Sequence, residues 1–239
     1  MASAKREMTF FLAAPEKRLL QGLASRLPGW VTSDHLTALG VAGALGGGAA
    51  YALSAYSLGW LWVASLMIAV NWFGDSLDGT LARVRHTERP HYGYYLDHNV
   101  DALSTAAIGV GLGLSPFVRI ELALALVVLY LGLSINVYLE SLVFGVFRMA
   151  YGRLGPTEVR ITLILANALG FVATTHLGTP RAVAAVANVA LAAGALGMLT
   201  MLAVRFGQNL HRLAGLEPQR TTPDAVRHHA GVGSPSFSR

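Results

Sequence analysis

The stretch Gly74–Leu103, GDSLDGTLARVRHTERPHYGYYLDHNVDAL, carries four aspartates, Asp75, Asp78, Asp97 and Asp101, between runs of apolar residues. Asp75 and Asp78 are three residues apart and Asp97 and Asp101 four apart, so on helices each pair projects from one face. Two such helices packed side by side would bring the four acids to one pocket.

The chain around this stretch is short of charge. Of 239 residues, 54% are hydrophobic and 13% charged, against about 25% charged in soluble domains. Too few polar groups remain to cover a water-facing surface, and an integral membrane protein is expected. The formal charge of +5 does not indicate nucleic acid, because the basic residues sit between apolar spans and form no stripe on a water-exposed fold. With no cysteine, disulfides, thiolate metal sites and cysteine nucleophiles are excluded.

Six segments approach the roughly 20 apolar residues that a bilayer crossing needs: Leu36–Tyr56, Leu58–Leu77, Val100–Val118, Leu122–Phe144, Ile161–Leu177 and Ala182–Val204. Before them, TFFLAAPEKRLLQGLASRLPGW sets Phe10, Phe11, Leu19, Leu20, Leu23 and Leu27 against Lys17, Arg18 and Arg26 at helical spacing. That pattern predicts an amphipathic helix lying in the interface. Its apolar run is too short for a secretory signal, and Glu16 follows at once. The expected fold is all-α and integral to the membrane. It comprises an interfacial helix within residues 1–32, a six-helix transmembrane domain over 33–213 and a polar tail over 214–239.

With the N-terminus inside, 16 of the 18 Lys and Arg residues fall on one side and only Arg119 and Arg181 on the other. The excess marks the cytoplasmic side and places the aspartate stretch there. Small residues, Gly43, Gly47 and its GGG neighbours in the first span and the alanines of AVAAVANVALAAGALG in the last, allow close helix approach, for packing first and dimer contacts second.

An aspartate at the bilayer centre costs on the order of 2.5 to 3.5 kcal/mol, and like charges at i,i+4 add a few tenths. Taken singly, the four acids read as solvated helix ends; together they require compensation. Arg83, Arg85 and Arg89 are near in sequence, but three cations would then neutralise four carboxylates. A divalent cation is the stronger candidate, and an all-oxygen cage suits Mg²⁺ or Mn²⁺, which commonly bind carboxylates together with substrate phosphates. Gly79 and Gly93 would let a phosphate or base approach the backbone.

The pattern Asp75-x2-Asp78-Gly79-x2-Ala82-Arg83-x9-Gly93-x3-Asp97-x3-Asp101 resembles the signature of the CDP-alcohol phosphatidyltransferase family at all eight positions. The resemblance extends over roughly Met8–Leu210. It implies cleavage of a CDP-linked donor, transfer of its phospho-group to an acceptor hydroxyl and release of CMP, with one of the two substrates a lipid. It further implies that Asp75, Asp78 and Asp97 hold a pair of Mg²⁺ or Mn²⁺ ions, with Asp101 both a ligand and the base for the acceptor's proton. Gly79, Ala82, Arg83 and Gly93 would line the nucleotide site; the other reading of Arg83 is a positive-inside anchor. Thr37 joins that site through SDHLT, Ser33–Thr37, which resembles the family's Pro-Asn-x-Leu-Thr. Asp34 there either meets the nucleotide or caps the helix, the latter being favoured. A homodimer in a bacterial inner membrane, with the site at the cytoplasmic face, completes the expectation.

LDHNVDALST, Leu96–Thr105, resembles the Asp-His-x-x-Asp version found in aminoalcohol phosphotransferases. His98 then either relays the acceptor's proton or is a surface residue. In GRLGPTEVRIT, Arg153, Glu158 and Arg160 either select the acceptor or serve the helix start and the topology. Glu140, in a polar island with Asn136 and Tyr138, either orients an acceptor or bonds another helix. A transporter with intramembrane carboxylates is the main non-enzyme reading, but two similar halves with interrupted spans are not evident.

Overall fold

The computed structural model describes residues 12–144 and 155–217. Among these there are seven helices and no strand: α1 (Ala13–Ala24), α2 (Ser33–Leu53), α3 (Trp60–Val84), α4 (Pro90–Gly113), α5 (Ile120–Phe144), α6 (Pro156–His176) and α7 (Pro180–Leu216). The chain divides into two units at Leu202/Ala203, and the packing below belongs to the first. The described part of the second is the last portion of α7.

Each of the six apolar segments overlaps one of the helices α2–α7, although the first, second, third and fifth run past the helix ends at Leu53, Trp60, Gly113 and His176. Four of these, α2, α5, α6 and α7, are long and apolar enough to cross a membrane. The two outside that set, α3 and α4, are long enough, but they carry the four aspartates with Asn71, Arg83, His91, His98 and Asn99. The amphipathic segment is helical as α1, which buries Leu20 and Ala24 in a cluster with Val31, Leu36, Leu77 and Leu81. Residues 1–11 and 218–239, with Phe10, Phe11 and most of the expected tail, lie outside the described residues.

Glycine sets the packing of α2. A Cβ on Gly43 would sit 2.5 Å from the Asn71 backbone nitrogen, and one on Gly74 2.4 Å from both Gly40 N and Leu36 O. On another side of α2, a Cβ on Gly48 would come within 2.3 Å of Ala107 O, and one on Gly111 within 2.1 Å of Gly48 O. So α2 packs backbone to backbone on α3 and on α4, as small residues permit. Asn71, buried at this crossing, donates its Nδ2–H to Gly40 O at 2.9 Å. Helix α4 packs further on α5, and α3 on α6 and α1.

The loop between α1 and α2 is fixed from α3. Arg85 donates from Nη2 to Leu27 O and Pro28 O, each at 2.9 Å, and from Nη1 to Val31 O. The cap of α2 is Thr32, whose hydroxyl accepts from His35 N at 3.2 Å. Asp34, favoured above as the cap, instead lies in the first turn and pairs with Arg89.

Candidate active site

Because α3 and α4 both pack on α2, their acidic faces meet. Carboxylate oxygens of Asp75, Asp97 and Asp101 all lie within 4.8 Å of one another. Such oxygens, from two rigid helices and half-buried, suit a hard dication, so the trio could hold a divalent metal ion.

Asp78 lies outside that trio. Its Oδ2 accepts from Thr37 Oγ1 at 2.6 Å and its Oδ1 from the Gly79 backbone N–H at 2.5 Å, while its carbonyl accepts from Ser33 Oγ at 2.9 Å. The start of α2 is thereby tied to α3 through the two residues, Thr37 and Asp78, that the sequence assigns to nucleotide and metal.

The counter-charge comes from α6. Arg160 Nη2 donates to Asp75 Oδ2 at 2.6 Å, and both side chains are mostly buried, with relative exposures of 14% and 18%. None of the arginines near α3 does this. Arg83 is exposed and donates to Thr80 Oγ1 at 3.0 Å, Arg85 serves carbonyls, and Arg89 pairs with Asp34 with its guanidinium 3.9 Å from the Tyr92 ring centroid. At the nucleotide positions there is room. A Cβ on Gly79 would meet only the Arg83 guanidinium, at 3.4 and 3.9 Å, and one on Gly93 would meet nothing within 4 Å; Ala82 is half-buried on the same helix as Gly79.

Beside the trio lies a cleft of about 490 Å³ between α4 and α5, lined by Tyr94, Tyr95, His98, Asp101, Tyr130, Ser134 and Tyr138 among others. His98 stands between two rings, its centroid 4.0 Å from that of Tyr94 and 4.7 Å from that of Tyr138, with Nδ1 3.3 Å from Asp97 Oδ2. Its side chain is 14% exposed, so it faces this cleft and not open solvent. Sequence reasoning singled out Tyr138 but missed Tyr94 and Tyr130. The spacing Tyr130-x3-Ser134-x3-Tyr138 puts three polar tips on one helix face and was the available signal.

Of the remaining candidates, Glu158 accepts from Gly155 N at 2.9 Å and from Leu12 N at 3.0 Å, closing the first turn of α6. Glu140 is buried on α5 and accepts from Asn136 Nδ2 at 2.7 Å. Arg153 lies outside the described residues.

An acidic trio shared by two helices, which could hold a metal ion, thus stands with open glycines on both helices and a ring-lined cleft alongside. The chain belongs to the CDP-alcohol phosphatidyltransferase family, whose profile matches residues 30–207. It is also similar to a phosphatidylinositol phosphate synthase of Cutibacterium acnes (strain DSM 16379 / KPA171202), with 38% identity over 80 residues. That match spans 33% of this chain and 35% of the relative, about a third of each.

Proposed function

We propose that the protein is a membrane transferase that moves a substituted phosphate from a CDP-linked donor to an acceptor hydroxyl and releases CMP. The observation that carries this is the convergence of Asp75, Asp97 and Asp101 within 4.8 Å, inside the segment that matches the family. In this reading the acceptor oxygen bonds to the phosphorus bearing the donor's alcohol, the bond from that phosphorus to CMP breaks, and Asp101 takes the hydroxyl proton. Asp75, Asp97 and Asp101, with Asp78 once freed from Thr37, would hold Mg²⁺ or Mn²⁺. The ions supply charge neutralisation at the diphosphate. Gly79, Ala82, Arg83, Gly93 and Thr37 form the nucleotide side, where small residues leave room and Arg83 offers a forked donor. His98, held between rings next to Asp97, keeps the acceptor's approach aligned with Asp101.

The cleft supports a CDP-aminoalcohol as donor and diacylglycerol as acceptor. Tyrosine faces and a carboxylate suit a cationic amine, and the Asp-His-x-x-Asp spacing agrees. Similarity to the phosphatidylinositol phosphate synthase favours a second reading, in which CDP-diacylglycerol is the donor and a phosphorylated polyol the acceptor, met by Arg153 and Arg160. In either case α3 and α4 complete six spans, α1 lies in the interface, and the site faces the cytoplasm of a bacterial cell as one half of a homodimer.

The test is CMP release by the purified protein in lipid nanodiscs, with both donor types, a panel of acceptors, and Mg²⁺, Mn²⁺ or chelator. One donor–acceptor pair should yield CMP and a new lipid in equal amounts, and chelation should stop both until metal is restored. Asp101→Asn should abolish turnover and leave the melting temperature unchanged; full activity in that variant would remove Asp101 from its role. A transporter would move solute across the bilayer and release no CMP.

A further inference from the structure

Three helices meet at one oxygen outside the acidic site. Glu16 of α1 accepts on Oε1 both from Trp72 Nε1 of α3, at 2.8 Å, and from Thr157 Oγ1 of α6, at 2.6 Å. A third tie, Leu12 N–H to Glu158 Oε1 at 3.0 Å, joins the start of α1 to the first turn of α6. Trp72 precedes Asp75 by three residues on α3, and Thr157 precedes Arg160 by three on α6. Both bonds to Glu16 therefore fall within a single helical turn of the Arg160–Asp75 ion pair.

We propose that Glu16 is a positioning residue: by gripping Trp72 and Thr157 together it fixes the first turn of α6 against α3 and keeps Arg160 on Asp75. The interfacial helix is then part of the site's alignment, not only a membrane contact. Because both donors land on Oε1, the clamp needs an acceptor of glutamate's length and no negative charge. Glutamine retains that oxygen; leucine fills the volume and offers nothing.

The consequence for catalysis rests on the transferase reading above, whereas the clamp itself does not. Asp75 without a fixed partner would hold its carboxylate in several orientations, and misplacement of a reacting group by about 1 Å costs on the order of 10²-fold. Glu16→Leu should lower kcat by roughly tenfold or more and leave KM for the CDP donor within about twofold, since its bonds go to Trp72 and Thr157, neither of which is among the proposed nucleotide residues. Glu16→Gln should restore kcat. Thr157→Val, which removes one donor at nearly constant shape, should have the same sign and a smaller size.

The chain has no cysteine, so spin labels can be placed on α1 and α6 through Arg18→Cys and Leu165→Cys, both at exposed positions. Electron–electron distance measurements in nanodiscs should show one narrow distribution that broadens or shifts in Glu16→Leu and in Thr157→Val, and stays narrow in Glu16→Gln. An unchanged distribution in Glu16→Leu overturns the clamp; in a Glu16→Leu variant that fails to fold, the Thr157→Val result decides in its place. Altered distances with full kcat overturn the positioning role. If no donor yields CMP, the transferase reading fails and the distances alone decide whether Glu16 joins the helices.

Discussion

Substitution of Gly111 by alanine tests how closely α4 must lie on α2 for the acidic site to form. The new methyl would stand 2.1 Å from Gly48 O and 2.4 Å from Gly48 Cα, against ordinary contacts that begin at 3.4 Å. Backbone atoms on both sides leave no flexible side chain to give way, so the helices must part by about 1.3 Å at this crossing. If α4 pivots about its first residue, Pro90, Asp101 is roughly half as far along the helix as Gly111 and moves about 0.7 Å. Overpacking of this kind costs about 1 to 3 kcal/mol, and a shift of that size at a reacting carboxylate corresponds to roughly tenfold or more in rate. Thermal unfolding in nanodiscs, read by tryptophan fluorescence, should show a lowered midpoint, and CMP release should fall. The control is Gly22→Ala, a helical position in α1 where a Cβ meets nothing within 4 Å; it should gain about 0.5 to 1 kcal/mol. Wild-type melting and turnover in Gly111→Ala would refute the argument that the α2–α4 crossing positions Asp101.

Gly93→Ala separates packing from substrate contact, because its added Cβ has open space: the melting temperature should hold and KM for the CDP donor should rise, and an unchanged KM would remove Gly93 from the nucleotide side. Arg85→Ala strips the α1–α2 loop of its donors to Leu27, Pro28 and Val31. A loss of about 1 to 3 kcal/mol is expected from partly buried bonds to a charged group, measured by denaturation in mixed micelles; no loss would mean that water replaces the guanidinium without penalty.

The aspartate spacing was legible because helical geometry is local: three- and four-residue separations place side chains on one face whatever surrounds them. The glycines of α2 were legible as packing surfaces for the same reason, and Gly43 and Gly48 are where α3 and α4 approach. What the sequence withheld is long-range. Arg160 lies 85 residues from Asp75, and nothing in its neighbourhood distinguishes an ion-pair partner from a topology charge. Glu158 carries the same ambiguity, and only the folded chain shows it closing a helix start and receiving Leu12. Asp34 was favoured as the cap of α2 because aspartate is a good cap, but Thr32 two residues earlier forms a capping box with His35. The last apolar segment ends at Val204, and its helix runs on to Leu216: Arg205, His211 and Arg212 are polar without being helix breakers, so the end of an apolar span does not mark the end of a helix.

One face of α2 holds α3 by Gly43 and Gly74, and another holds α4 by Gly48 and Gly111, so both acid-bearing helices take their depth from a shared ruler. The rings of Tyr130 and Tyr138 hang on α5, which packs on α4 over Gly109 and Gly113, glycines other than those that meet α2. On the proposed transferase reading, substitutions on the α5 wall would change which alcohol fits while the carboxylates keep their places on α3 and α4.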